Sequence, residues 1–196
     1  MFPFTTHVYI SVEKVAELVG QGFGQSAQAL GIIAITDIPH YSNLRNELLK
    51  LSHQLATETH PDVLHKMTNP ESHYQVGWSH GKEKLEGGKL DTSKGSFYAN
   101  PLTDNPLGDI LARDYSLSCK KEDRDAFCTL AEKNPAFYAA NVWPDEDLPQ
   151  LRKVFKEMGK LIHDIGCMVG KHADNYVKTV CPDYEPQIEK TIQNSL

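Results

Sequence analysis

The sequence has no apolar run approaching the roughly 20 residues that cross a bilayer. Its opening, "MFPFTTHVYI", carries neither a basic n-region nor a long hydrophobic segment, so no secretory signal is read there. Close cysteine pairs are also missing. Cys119, Cys128, Cys167 and Cys181 are widely spaced and form no C-x-x-C, which argues against a structural zinc module. They read as reduced thiols, and the expected location is intracellular, in the cytoplasm. Basic residues form no stripe, and the net charge is -6, so a nucleic-acid surface is not expected. Walker A, G-x-S-x-G and G-x-G-x-x-G motifs are absent, and "GQGFG" is too short and lacks a flanking strand. Internal repeats and low-complexity tracts are absent as well.

What remains is enough for one domain, or one and a fraction. A hydrophobic content of 40% supports a core. "HVYI" reads as a short β-type run, and Ser11 as the N-cap of a helix over "VEKVAELV". "SAQAL" reads as a second short helical piece. "IIAITDI" (residues 32–38) is continuous, apolar and β-branched, the pattern of a buried strand. Ser42 is placed as the cap of a helix whose apolar face is Leu44, Leu48, Leu51 and Leu55. Pro61 ends it near Thr59. "YQVGW" and "SFYA" are short β-type segments among turns, and "KEDRDAFCTLAEK" is helical. The clearest element spans about residues 148–180. Leu148, Leu151, Phe155, Met158, Ile162, Ile165, Val169, Ala173, Tyr176 and Val180 recur at helical spacing, and Pro182 stops the helix. Its broad apolar face must lie against something sizeable. "YEPQIEKTIQNSL" starts another helix.

Two His-x-Asp pairs invite an iron reading: His60 with Asp62, and His172 with Asp174. Residues two apart on a helix point about 200° apart, so His172 and Asp174 do not converge. His60 and Asp62 fall at a helix end and in a loop, and the sequence leaves no room for a barrel to hold them. "HPD" is also the J-domain tripeptide, but its preceding helix is not strongly basic and its following segment is too turn-rich for the next J-domain helix. The nine histidines show no repeated ligand spacing and read as solvated surface.

The strongest local signal is "YQVGWSHGKEKLEGGKLDTSKGSFYANPL", Tyr74 to Leu102. It mixes aromatics, glycines and lysines. Aromatics suit a core edge and glycines tight turns. A second reading is a loop lining a pocket. "GWSHGKEKLEGGKLDTSKGSFYANP", with "LGIIAITDIPHYSNLRNELLKLSHQLA" before it and "NVWPDEDLPQLRKVFKEMGKLI" after it, resembles the N-terminal region of isopenicillin N synthase-like and clavaminate synthase-like oxygenases. These depend on Fe(II) and 2-oxoglutarate. The resemblance runs from about Val8 to Leu196.

It implies an α+β, helix-rich layer with a few short strands and one long spine helix, treated as a single region over 1–196. In the family a jelly-roll barrel follows and carries the iron ligands and the 2-oxoglutarate-binding Arg. By resemblance, this chain holds only the preceding layer. It would be inactive alone, with no catalytic or metal residues and no cofactor of its own. Fe(II), 2-oxoglutarate and a small-molecule substrate would belong to a full-length relative. Lys94, Ser96, Tyr98 and Asn100 are the implied pocket-lining positions. The alternative is a stand-alone binding module that pairs with a protein through the long helix. Neither nucleic acid nor membrane is expected as a partner.

Overall fold

A computed structural model describes residues 12–115 and 119–195. The "HVYI" run and the Ser11 cap lie outside the described residues. The fold is helix-rich α+β, with eight helices and two short strands among the described residues. The helices are α1 (Val12–Phe23), α2 (Tyr41–Thr57), α3 (Pro61–Lys66), α4 (Pro106–Arg113), α5 (Lys121–Lys133), α6 (Pro135–Tyr138), α7 (Pro149–Val180) and α8 (Ile188–Gln193). Strands β1 (Gly77–His80) and β2 (Gly95–Tyr98) form an antiparallel pair. The chain divides into two compact units. One, here the hairpin unit, is His40–Lys160; the other, the terminal unit, joins residues 12–39 to Leu161–Ser195. Helix α7 therefore contributes residues 149–160 to the first and 161–180 to the second.

In the hairpin unit, the leucine stripe of α2 meets the first turns of α7. Leu51, Leu55, Met67, Leu151 and Val154 are the buried centre, ringed by Leu44, Leu48, Trp78, Phe97, Val142 and Trp143. The hairpin register sets Trp78 opposite Phe97 and Ser79 opposite Ser96. Gly77 has φ 78°, and a Cβ there would come within 1.9 Å of the Met67 carbonyl oxygen, so only glycine fits. That approach lets the Trp78 N–H donate to Met67 O at 3.0 Å. A smaller aromatic group, Tyr115 stacked on Phe127 at 4.6 Å and Tyr138 edge-on to Phe127 at 5.5 Å, fixes α5 and α6.

In the terminal unit, α7 makes two close approaches. Ile192 and Glu189 of α8 lie over Gly170, where an added Cβ would sit 2.9 Å from Ile192 Cδ1 and 3.2 Å from Glu189 N. On α1, Gly20 leaves room for the Tyr176 ring.

Several local expectations change. "IIAITDI" is not a strand: residues 32–38 carry no regular structure, and Ile32 and Ile35 are 67% and 42% exposed. A buried strand needs flanking strands to take its backbone hydrogen bonds, and β1 and β2 pair with each other. "SAQAL" is a turn, and α2 starts at Tyr41 with His40 as its N-cap at φ 64°, so Ser42 is not the cap. Asp62 is not in a loop but in the first turn of α3, and His60 caps that helix, accepting the Asp62 N–H on Nδ1 at 3.2 Å, with Pro61 in the first helical position. Helix α4 adds to the helices expected from the sequence. There Asn105 caps by accepting the Gly108 N–H, and Pro106 starts the helix.

Candidate functional site

The K-G-S-F-Y-A-N block forms β2 and the turn after it. Alternation along a strand sends neighbouring side chains to opposite faces. Phe97 enters the core, edge-on to Phe155 (5.9 Å, 89°) and tilted against Trp143 at 5.6 Å. Trp143 and Phe155 meet at 5.5 Å, so the three rings lock one another. Beside Phe97 lies Gly95. A Cβ there would stand 2.3 Å from the Trp78 ring, so the missing side chain lets the indole lie across the strand.

Between this hairpin face, α2 and α7 is a cleft of about 170 Å³. Leu55 and Leu151 form its floor, 2% and 1% exposed. Trp78, Phe97 and Phe155 supply aromatic walls, and Leu48 completes the aliphatic side. The mouth is at Ser52, Ala56 and Gly95, all exposed. Ser52 Oγ donates to Leu48 O at 2.8 Å, and its lone pairs remain available to accept.

The four implied pocket positions lie elsewhere. Lys94 pairs with Glu83 at 2.9 Å, and that hydrogen bond and charge push its pKa up. Ser96 faces Ser79 across the ladder, and Tyr98 is 39% exposed. Asn100 turns the chain: its Oδ1 accepts the N–H groups of Leu102 and Thr103 at 2.9 and 3.2 Å. The strand residues that line the cleft are Gly95 and Phe97.

A polar latch holds the end of this block. The Asn141 amide donates to Asn100 O, Thr103 O and Asp104 Oδ1 at 2.8, 3.0 and 3.0 Å. Asp104 also accepts from Trp143 Nε1 at 2.8 Å and from Lys156 Nζ at 2.7 Å. Burial pushes the Asp104 carboxyl up, but Lys156, Asn141 and Trp143 together hold it down at about 2. Sequence reasoning missed this latch because its partners lie 37 to 52 residues away.

The two His-x-Asp pairs have other employment. Asp174, only 4% exposed, accepts from Tyr184 Oη (2.6 Å) and from the N–H groups of Gln187, Ile188 and Glu189 (3.2, 3.0 and 3.0 Å). It thus caps α8 from outside that helix. Burial raises its pKa, but the Tyr184 and backbone donors outweigh burial and lower it. His172 instead lines a cavity of about 470 Å³ with Val15, Leu18, Ile33 and Met168, within the terminal unit. His60 and Asp62 are both highly exposed, with Nδ1 and Oδ2 3.5 Å apart. Among the described residues no three His, Cys, Asp or Glu side chains come together as metal ligands. Also among them, no helix is long and apolar enough to cross a membrane.

No family model, curated protein or solved structure matches the chain.

Proposed function

We propose that this chain serves as the helix-rich N-terminal layer of an Fe(II)- and 2-oxoglutarate-dependent oxygenase that acts on a small molecule. In this reading the iron and the cosubstrate belong to a jelly-roll barrel, and the layer contributes shape and pocket surface rather than catalysis. One observation carries the reading. The G-W-S-H and K-G-S-F-Y-A-N blocks, on which the resemblance rests, pair as one hairpin anchored on the long helix through Phe97 and Phe155. A loop with no structural anchor would offer no fixed surface to a substrate.

Sequencing of the full-length transcript tests it. The expected result is an in-frame continuation past Leu196 encoding a His-x-Asp, a distal His and a downstream Arg. A stop codon at that point, with a soluble and cooperatively folded product, overturns it. That result supports the second reading, a module that binds a protein through the long helix. The observation favouring the second reading is exposure: Ile162, Met168 and Val180 of α7 are 54%, 55% and 63% exposed.

A further inference from the structure

We propose that the cleft between α2, the hairpin and α7 is a binding pocket for one uncharged aromatic ring bearing a single hydrogen-bond donor, a phenol-like group. The pocket belongs wholly to the hairpin unit, and its proposed ligand is independent of the oxygenase reading.

Size comes first. An apolar cavity of roughly 150 Å³ stays dry and accepts one benzene ring. This cleft, at about 170 Å³, is of that order. Its shape is preformed rather than adaptable. The walls are held by the interlocked rings of Phe97, Phe155 and Trp143, and the Trp78 indole is seated over Gly95. The floor is closed by Leu55 and Leu151, and the way in runs past Ser52 and Ala56.

Chemistry comes second. Aromatic walls favour a flat guest through edge-to-face and offset contacts. No charged side chain lines the cleft, so an ionised ligand would lose its hydration without compensation. Besides the Trp78 indole N–H, the one polar side-chain group in the lining is the Ser52 hydroxyl, at the mouth. Its hydrogen is committed to Leu48 O, so toward a ligand it is an acceptor. A ring entering with its apolar edge down would leave a hydroxyl or N–H at that oxygen.

Fluorine NMR titration of the full chain with 4-fluorophenol tests the proposal. Fluorobenzene and 4-fluorobenzoate are the companions. Expected is saturable one-to-one binding of 4-fluorophenol with Kd at or below about 1 mM, reasonable for so small a ligand. Fluorobenzoate should bind at least about tenfold more weakly. Ala56→Phe fills the mouth from an exposed helix position and should weaken 4-fluorophenol about tenfold or more. Ser52→Ala should weaken 4-fluorophenol several-fold and leave fluorobenzene unchanged, which a merely structural role would not do. Should Ala56→Phe not fold, Ser52→Leu blocks the same mouth. The proposal is overturned by non-saturable binding, by equal affinity for fluorobenzoate, or by folded mouth variants that bind as well as the parent. Ring binding and transcript sequencing can fail independently, so either reading can fall without the other.

Discussion

The two halves of α7 carry one continuous hydrophobic periodicity yet end in different surroundings. In the hairpin unit, Leu151, Val154 and Met158 are 1%, 3% and 7% exposed. In the terminal unit, Ile162 and Met168 stay more than half exposed. The contrast extends past the helix. Eight of the fourteen exposed large hydrophobic side chains among the described residues belong to the terminal unit, although it is the smaller of the two. The hairpin unit is held by burial and interlocked rings. The described contacts of the terminal unit rely more on close backbone approach at Gly170 and on the polar cap made by Asp174. Amphipathic spacing states that a face must be covered, and it does not say by what.

The sharpest way to break the comparison is in the closed half. Leu151→Ala removes a side chain that is 1% exposed, from the centre of the hairpin-unit core. A loss of about 2–5 kcal/mol is expected, from transfer and cavity terms together. Urea unfolding followed by tryptophan fluorescence reads it, because Trp78 and Trp143 both pack against that core. A loss below about 1 kcal/mol would mean that this core is not the anchor of the unit.

Legibility in the sequence followed the range of the interactions. Helix α5 matches the "KEDRDAFCTLAEK" reading end to end, and α7 matches within a residue or so, because spacing, the acidic first turn of α5 and flanking prolines act locally. The two strands only overlap the two β-type segments: β1 shares Gly77 and Trp78 with "YQVGW", and β2 shares Ser96, Phe97 and Tyr98 with "SFYA". "IIAITDI" misled because an apolar β-branched run marks a strand only where neighbouring strands exist. Of the four positions named from resemblance, Ser96 and Tyr98 alternate along β2 with Gly95 and Phe97, which line the cleft, while Lys94 and Asn100 flank the strand. Which face a strand residue takes is invisible without the register. Asp104 and Asp174 were illegible as structural carboxylates because their donors come from distant segments or from across a chain reversal.

A smaller effect is expected at the polar cap of the terminal unit. Asp174→Ala leaves three backbone N–H groups and the Tyr184 hydroxyl without their acceptor, a loss of about 1–3 kcal/mol. Hydrogen exchange should rise over residues 187–193 and stay unchanged in α2. The wild-type cap carries its own pH signature. Folding lowers the Asp174 pKa below its ordinary value of 3.8, so the unfolded chain binds the proton more readily. The contribution is therefore present above about pH 4 and is lost as pH falls through the lowered folded value. Asp104 has the same sign, with its loss falling between about pH 4 and 2, and its partial exposure makes the effect small. Uniform exchange across both units, independent of acid, would erase the distinction between a capped half and a packed half.

The smallest effect on stability belongs to the open face. Ile32→Ser and Ile35→Ser remove methyl groups from side chains that are already 67% and 42% exposed. Little transfer free energy is at stake, so each should shift unfolding by no more than about 0.5 kcal/mol. Native-state binding of an apolar dye should nevertheless fall, because these residues belong to the most exposed hydrophobic stretch of the terminal unit. The pairing of the two readouts is the point. Loss of dye binding at constant stability is what an uncovered surface gives. A loss of more than about 1.5 kcal/mol would show that these isoleucines are buried in solution, by a second copy or another segment. The difference between the halves of α7 would then be one of partner, not of packing.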